Sequence, residues 1–502
     1  MNESLWIATT ASTRYPSLDR DLSVDVAIVG GGIAGLTAAH LLKQAGLTVA
    51  VVEALRIAEG ETGFTTAHLT EAIDARYHTL KKDFGLDGAR MAAEASRAAI
   101  DFIERNATAL GIDCGFRRLD GFLYSETGDD LDELREEADA AREAGVSASY
   151  TDDVPLPFAT GGVRFAQQAE FHPRRYLLPI AESIAGNGSH IFENTRVLGV
   201  HDGEPCRVET ASGVISAKAV FVAANVPVNN KLFLQTKIPA YRTYAMAMKV
   251  SSETDLRGLF WDTADPYHYT RWQSTDEGTF LIVGGKDHKT GDVEDTESHY
   301  GSLEDYIRNH FEIDTIAYRW SGQIIEPLDG LPYIGRNSIS KNVYVATGFA
   351  GQGMTFGTVS GMLVADLIQG REHRWRGLFD PTRIKPIASA VDFVTENIDF
   401  PKHLVPDRLT SLDVEGHSLD DVGAGEGKIL KLDGRKVAVS RDETGRVIAL
   451  SPVCTHMGCD VHWNNAERSW DCPCHGSRFA PSGDVLNGPA VDPLKPAEID
   501  EV

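Results

Sequence analysis

The chain has no stretch approaching the ~18 uninterrupted apolar residues of a membrane span, and Met1 to Pro16 carry neither the basic start nor the apolar run of a signal peptide. Cytoplasm is therefore the default location. Positive charge is scarce: 48 Lys and Arg stand against 73 Asp and Glu, a formal net charge of -25. With no concentrated basic patch, nucleic acid phosphates and anionic lipid surfaces are poor partners. The acidic surplus reads as a solvated surface, with attraction of cationic substrates as the sharper alternative. Repeats and low-complexity segments are missing as well. Cysteine is rare along most of the length, where Cys114 and Cys206 stand alone, yet Cys454, Cys459, Cys472 and Cys474 crowd into 21 residues. Four thiols so close in a cytosolic protein point to bound metal before structural stapling.

What is present is a globular composition, 42% hydrophobic and 24% charged over 502 residues, long enough for two or three cooperative units. Asp25 to Val29 is an apolar run entering Gly30-Gly31-Gly32-Ile33-Ala34-Gly35. A helical pattern follows from Leu36 to Gln44, then Leu47 to Val52 ending at Glu53. The order strand, tight turn, helix, strand predicts one βαβ unit with parallel strands. A helix-rich stretch is expected from about Leu80 to Gly145. Arg196 to His201 and Val220 to Asn225 read as further strands of the first sheet, and Tyr241 to Val250, Tyr267 to Trp272 and Phe280 to Gly284 as a second, antiparallel sheet. Val343 to Ala346 leads into a second Gly-rich turn, Thr347 to Met354, and the amphipathic Thr358 to Ile368. The proline-bearing stretch after it holds the linker. From Gly425 short strands with hairpin signals predict a small all-β module. The expected division is 1–390, an oxidoreductase body with discontinuous subdomains; 391–410, a linker; and 411–502, the β module.

Gly30, Gly32 and Gly35 satisfy G-x-G-x-x-G between strand and helix, with Glu53 about 20 residues on. Such glycines let the backbone approach a pyrophosphate at a helix N-terminus, while a carboxylate at the second strand's end accepts the adenosine ribose hydroxyls. Glu53 disfavours NADP. The second Gly-rich turn brings another helix N-terminus to a long cofactor, as a flavin would use at its pyrimidine edge.

These motifs resemble the D-amino-acid oxidase, glycine oxidase and sarcosine oxidase superfamily of FAD-dependent amine and amino acid oxidoreductases. The resemblance spans most of the first 390 residues. It rests on the fingerprint, on Arg56 to His68 just after Glu53, and on Asp329-Gly330-Leu331-Pro332-Tyr333-Ile334-Gly335 preceding Gly351-Gln352-Gly353-Met354-Thr355. It implies an α/β Rossmann-like FAD-binding domain with an antiparallel-sheet (α+β) substrate domain. Its cofactor-contacting residues would be Gly30, Gly32, Gly35, Glu53, Arg56, Thr65, Thr66, Gly351, Gln352, Gly353, Met354 and Thr355. One departure stands out: where amino acid oxidases of this family place a carboxylate-gripping Arg, Trp320 to Pro327 puts Ile324. Isoleucine cannot make a bidentate clamp. Either Arg242 or Arg271 serves, or the substrate is an amine lacking that carboxylate. Alternation puts Tyr267, Tyr269 and Arg271 on one strand face, a candidate substrate wall or ordinary sheet packing. His68 is a further pocket candidate, or a structural loop histidine.

Near the end, Cys454-Thr455-His456 and, after 15 intervening residues, Cys472-Pro473-Cys474-His475 offer two Cys and two His on two short loops. That is the ligand set of a Rieske [2Fe-2S] cluster, with zinc as runner-up by ligand type; C-x-H is too close for the usual zinc finger spacing. The loops closely resemble those of cytochrome bc-type Rieske proteins. The resemblance implies a disulfide between Cys459 and Cys474 and a Ser477 hydroxyl donating to a cluster sulfur, with Phe479 where a tyrosine donor is common.

The expected function is FAD-dependent oxidation of a C–N bond in an amine or amino acid by hydride transfer to flavin N5, no catalytic base being identified. The cluster would then drain electrons to an external protein or quinone acceptor. The alternatives are an oxygen-using oxidase with a structural or regulatory cluster, and an electron-transfer module without a small substrate.

Overall fold

The computed structural model describes residues 3–228, 234–250, 257–383 and 414–499. The expected linker, 391–410, lies outside the described residues.

Strand Leu22–Val29 enters the glycine turn, helix Ile33–Gln44 leaves it, and strand Val49–Val52 returns parallel to the first. Val49 to Val52 are all buried, as a parallel strand covered on both faces requires. The first sheet runs Tyr333–Arg336, Val343–Thr347, Val214–Val222, Leu22–Val29, Val49–Val52, His190–Phe192. All its neighbours are parallel except the antiparallel edge pair Tyr333–Arg336 with Val343–Thr347. The hairpin Val197–His201 and Cys206–Thr210 hangs from Val214–Val222. The doubly wound layer is thus built from separated stretches, and helix Gly353–Ile368 follows the second Gly-rich turn as expected.

The second sheet runs Thr315–Ile325, Ala240–Lys249, Gly278–Lys289, His268–Thr275, Leu259–Asp262, Arg117–Ser125, Gly161–Glu170, His68–Leu69. It is antiparallel apart from Leu259–Asp262 beside Arg117–Ser125. The helix-rich stretch expected from about Leu80 to Gly145 also contains a strand. Helices Tyr77–Leu110 and Leu131–Glu143 flank strand Arg117–Ser125, which lies inside this sheet. Asp120-Gly121 mid-strand hides the pattern; a Cβ on Gly121 would lie 2.8 Å from the Trp261 ring, so glycine permits that close packing.

The C-terminal module has two small antiparallel sheets, Gly427–Leu432 with Arg435–Arg441 and Val447–Leu450, and His462–Asn464 with Ser469–Asp471, Arg478–Phe479 and Val485–Asn487. Trp470, Phe479, Val461 and Leu450 fill the core beneath its cysteine loops. No described helix is long and apolar enough to cross a membrane.

Candidate functional site

A cavity runs from the first sheet's glycine turn to the face of the second sheet. At one end Gly30, Gly32, Ile33 and Ala34 line it. Gly30 takes φ +108°, and a Cβ there would sit 2.4 Å from the Ala223 carbonyl oxygen. Gly32 caps the helix without a side chain of its own, the Ile33 N–H donates to Thr62 Oγ1 at 3.1 Å, and the helix N-terminus lies on the cavity wall. Gly35 lines nothing: its missing Cβ would fall 2.0 Å from the Gly30 carbonyl oxygen, which makes it the residue that lets helix and strand pack closely. Glu53 lines the cavity and accepts from the Gly31 N–H at 2.7 Å and the Leu55 N–H at 2.8 Å. Its enclosure raises its pKa against those two donors.

Thr65, Thr66, Gly351, Gln352, Gly353 and Met354 also line the cavity. Arg56 and Thr355 do not. Arg56 is exposed beyond the turn, and Thr355 is buried in its helix with Oγ1 accepting from the Thr70 N–H at 3.2 Å.

At the second-sheet end stand Tyr267, Tyr269, His68, Trp261, Asp74, Asp287 and Ile324. The strand alternation delivers both tyrosines there, but Arg271, on the same face, is tucked away from the cavity. Its guanidinium is fully buried and donates to the Ala67 carbonyl at 2.7 Å and to Gln273, with Glu170 at 3.4 Å and the Trp6 ring beneath it. Arg242 is equally committed, with the Glu467 carboxylate at 2.6 Å and the Ser321 hydroxyl at 2.6 Å. Neither arginine serves the cavity. Burial, with the Arg271 charge nearby, pushes the His68 imidazole down to about 3, so it is neutral. Burial and then the Asp74 charge push Asp287 up to about 7, against a hydrogen bond from Thr243.

The two cysteine loops are built alike. The Cys454 N–H donates to Cys459 O and the Gly458 N–H to Cys454 O; the Cys472 N–H donates to Ser477 O and the Gly476 N–H to Cys472 O. Gly458 and Gly476 both have positive φ, +88° and +73°. Each turn is possible because a glycine stands four residues after the first cysteine. Cys454 and Cys472 are buried, their thiols within hydrogen-bonding reach of one another. The His456 and His475 rings meet edge-on with centroids 5.0 Å apart. Cys459 and Cys474 are disulfide-bonded, and their sulfurs lie within 4.8 Å of the Cys472 sulfur. Ser477 Oγ accepts from the Ala490 N–H at 3.0 Å and faces the Cys454 sulfur. Two thiols and two imidazoles converging from two loops fit a [2Fe-2S] donor set.

The cluster loops press against the second sheet. The Gln323 side-chain N–H donates to the Gly476 carbonyl at 2.7 Å, and Gln323 itself lines the cavity. A Cβ on Gly476 would meet the Ala240 Cβ at 2.3 Å, and one on Gly291 the Pro473 nitrogen at 2.8 Å, so both glycines permit the seam. Leu486, Asn487, Gly488 and Val491 of the C-terminal module close the cavity's glycine-turn end. There the Asn487 amide donates to Glu61 at 2.9 Å and Arg196 to the Val485 carbonyl at 2.7 Å. Sequence reasoning missed Gln323, Asp74, Asp287, Gly458 and Gly476. The repeated Cys-x-x-x-Gly spacing alone signalled the last two; the others meet only through the fold.

Residues 25–367 match the FAD dependent oxidoreductase family and residues 415–498 the Rieske [2Fe-2S] domain. The chain belongs to the FAD dependent oxidoreductase family. The family's cofactor is FAD, and the Rieske domain's is a [2Fe-2S] cluster. A Bacillus subtilis (strain 168) protein named as a Rieske 2Fe-2S iron-sulfur protein, YhfW, is 34% identical over 99% of this chain and 98% of its own. Gamma-glutamylputrescine oxidoreductase of Escherichia coli (strain K12) is 26% identical over 74% of this chain and 90% of its own. Among solved structures, glycine oxidase from Geobacillus kaustophilus superposes with a TM-score of 0.62 at 19% identity, covering 73% of this chain and all of that one.

Proposed function

We propose that the protein oxidises a C–N bond in an amine or amino acid and passes the electrons through its own Rieske cluster to an external acceptor. Bound FAD supplies a hydride acceptor, and the cluster a one-electron carrier. Gly30, Gly32 and the N-terminus of helix Ile33–Gln44 would hold the pyrophosphate and Glu53 the ribose. Thr65, Thr66 and Gly351 to Met354 would hold the flavin end. Cys454 and Cys472 would ligate one iron, and His456 and His475 the other.

One observation carries the reading: a single side chain, Gln323, both lines the cavity and hydrogen-bonds the cluster loop beside His475. The substrate end of the cavity is walled by the rings of Tyr267, Tyr269 and Trp261 and the neutral imidazole of His68, and it opens to solvent beside Asp74 and Gly351. The naming of a relative as gamma-glutamylputrescine oxidoreductase agrees with amine chemistry.

The test is anaerobic mixing of the holoenzyme with a panel of amines and amino acids, following flavin absorbance and the cluster's electron paramagnetic resonance signal together. Bleaching followed by cluster reduction is expected. Stoichiometric peroxide in air with a cluster that stays oxidised would make the protein an oxidase. Reduction by a protein partner alone would make it an electron-transfer module.

A further inference from the structure

The charges at the substrate end of the cavity are all of one sign. Among the described residues, Arg196 is the only Lys or Arg lining the cavity, and it is tied to the Val485 carbonyl at the far end. Asp74 and Asp287 line the end carrying Tyr267, Tyr269 and His68. Asp74 accepts the Gly351 N–H at 2.9 Å with one oxygen. A Cβ on Gly351 would lie 2.7 Å from the Tyr267 hydroxyl and 3.0 Å from Asp74, which brings that hydroxyl and carboxylate to the same turn.

Asp287 Oδ1 is shielded from solvent and has no hydrogen-bond partner. Thr243 hydrogen-bonds this carboxyl and pairs with the Tyr269 hydroxyl at 2.6 Å, fixing its position. Independently, His68 is 8% exposed, lines the cavity, and leaves its Nε2 without a partner while Nδ1 meets Thr66 Oγ1 at 3.1 Å. An enclosed carboxylate oxygen and an enclosed ring nitrogen, both unmatched, are costly unless a ligand supplies N–H groups. A ligand carboxylate would find repulsion from Asp74 and Asp287 there and no Lys or Arg on that part of the cavity wall to pair with. Ile324 adds an apolar wall suited to a methylene spacer.

We propose that the substrate is an amine bearing a second cationic nitrogen and no carboxylate beside the reacting one, a diamine or polyamine in class, with Asp287 holding the second cation. This rests on the amine-oxidation reading above. Asp287 acts as an anchor that fixes which carbon faces the flavin.

The experiment compares anaerobic flavin reduction of the holoenzyme by 1,4-diaminobutane, butylamine, 4-aminobutanoate and a set of α-amino acids. A charged hydrogen bond in an enclosed site predicts half-saturation by the diamine on the order of 10- to 100-fold below butylamine. Asp287→Asn should collapse that ratio to within about threefold. In parallel, 1,4-bis(trimethylammonio)butane, which carries two cations but no N–H, should compete with the diamine at least about tenfold more weakly than 1,4-bis(dimethylamino)butane, which keeps one N–H on each cation; equal competition would remove the hydrogen-bond argument. Equal reduction by butylamine or by an α-amino acid, or an unchanged ratio in Asp287→Asn, would overturn the proposal. Should that variant lose its flavin, the wild-type comparison and the competition still decide. If no amine or amino acid of any kind bleaches the flavin, the parent reading is the one that fails.

Discussion

Truncating Glu467 to alanine removes the carboxylate that meets the Arg242 guanidinium across the seam between the C-terminal module and the flavin body. Arg242 is 1% exposed and holds both Glu467 oxygens, at 2.7 and 2.6 Å. Stripping one partner from a buried ion pair costs about 3–5 kcal/mol. The Ser321 bond that remains, and the 15% exposure of Glu467, place the cost near the lower bound. Arg478 adds little, because it keeps Asp471 at 3.0 Å. About 3 kcal/mol corresponds to roughly a hundredfold shift in the docking equilibrium. Two amides report on docking directly: the Ala466 N–H donates across the seam to Thr296 Oγ1 at 3.0 Å, and the Glu297 N–H to Asn465 at 3.1 Å. Hydrogen exchange at both should accelerate about a hundredfold in Glu467→Ala, while the central strand Leu22–Val29 holds its protection. Replacing both partners, Arg242→Met with Glu467→Met, should restore most of it. Changes under about threefold at both reporters, or equal loss at Ile28, would refute the assignment of this pair to the seam.

Ser477→Ala removes a hydroxyl facing the Cys454 sulfur; a net hydrogen bond near 1 kcal/mol predicts a fall of about 40–60 mV in the cluster's one-electron potential, read by redox titration. With Phe479 in place of a tyrosine donor, the wild-type potential is itself expected below that of respiratory Rieske centres. Asp287, raised to about 7 by burial and the neighbouring Asp74, binds its proton in the folded state where the unfolded chain has already released it. Stability should therefore decline as pH rises from about 4 to 7, and Asp287→Asn should flatten that decline in denaturant titrations of the substrate-free holoenzyme. Gly35→Ala forces a Cβ to within 2.0 Å of the Gly30 carbonyl oxygen, so the variant should purify without its yellow flavin; a fully flavinylated variant would contradict the packing argument.

The parts legible in the sequence are those that a short run of chain encodes by itself. Gly30 to Gly35 and Gly351 to Met354 write their turns into glycine spacing, and the cluster loops write theirs into cysteine and histidine spacing. Strand alternation sorted Tyr267 and Tyr269 toward the cavity, but it could not tell that Arg271, one pleat further on, would pass beneath the loop at Thr66 and Ala67. Arg117–Ser125 was illegible as a strand because Asp120-Gly121 interrupts its apolar pattern. Asp74 and Asp287 lie more than 200 positions apart, and Gln323 meets Gly476 across 153. Periodicity carries no information at such separations.

The cavity's two walls come from stretches of chain more than 400 residues apart. Gly30 and Glu53 belong to one, and Leu486, Asn487, Gly488 and Val491 to the other. Because the latter four line the glycine-turn end, undocking the iron-sulfur module would leave the nucleotide end of the cavity without one of its walls.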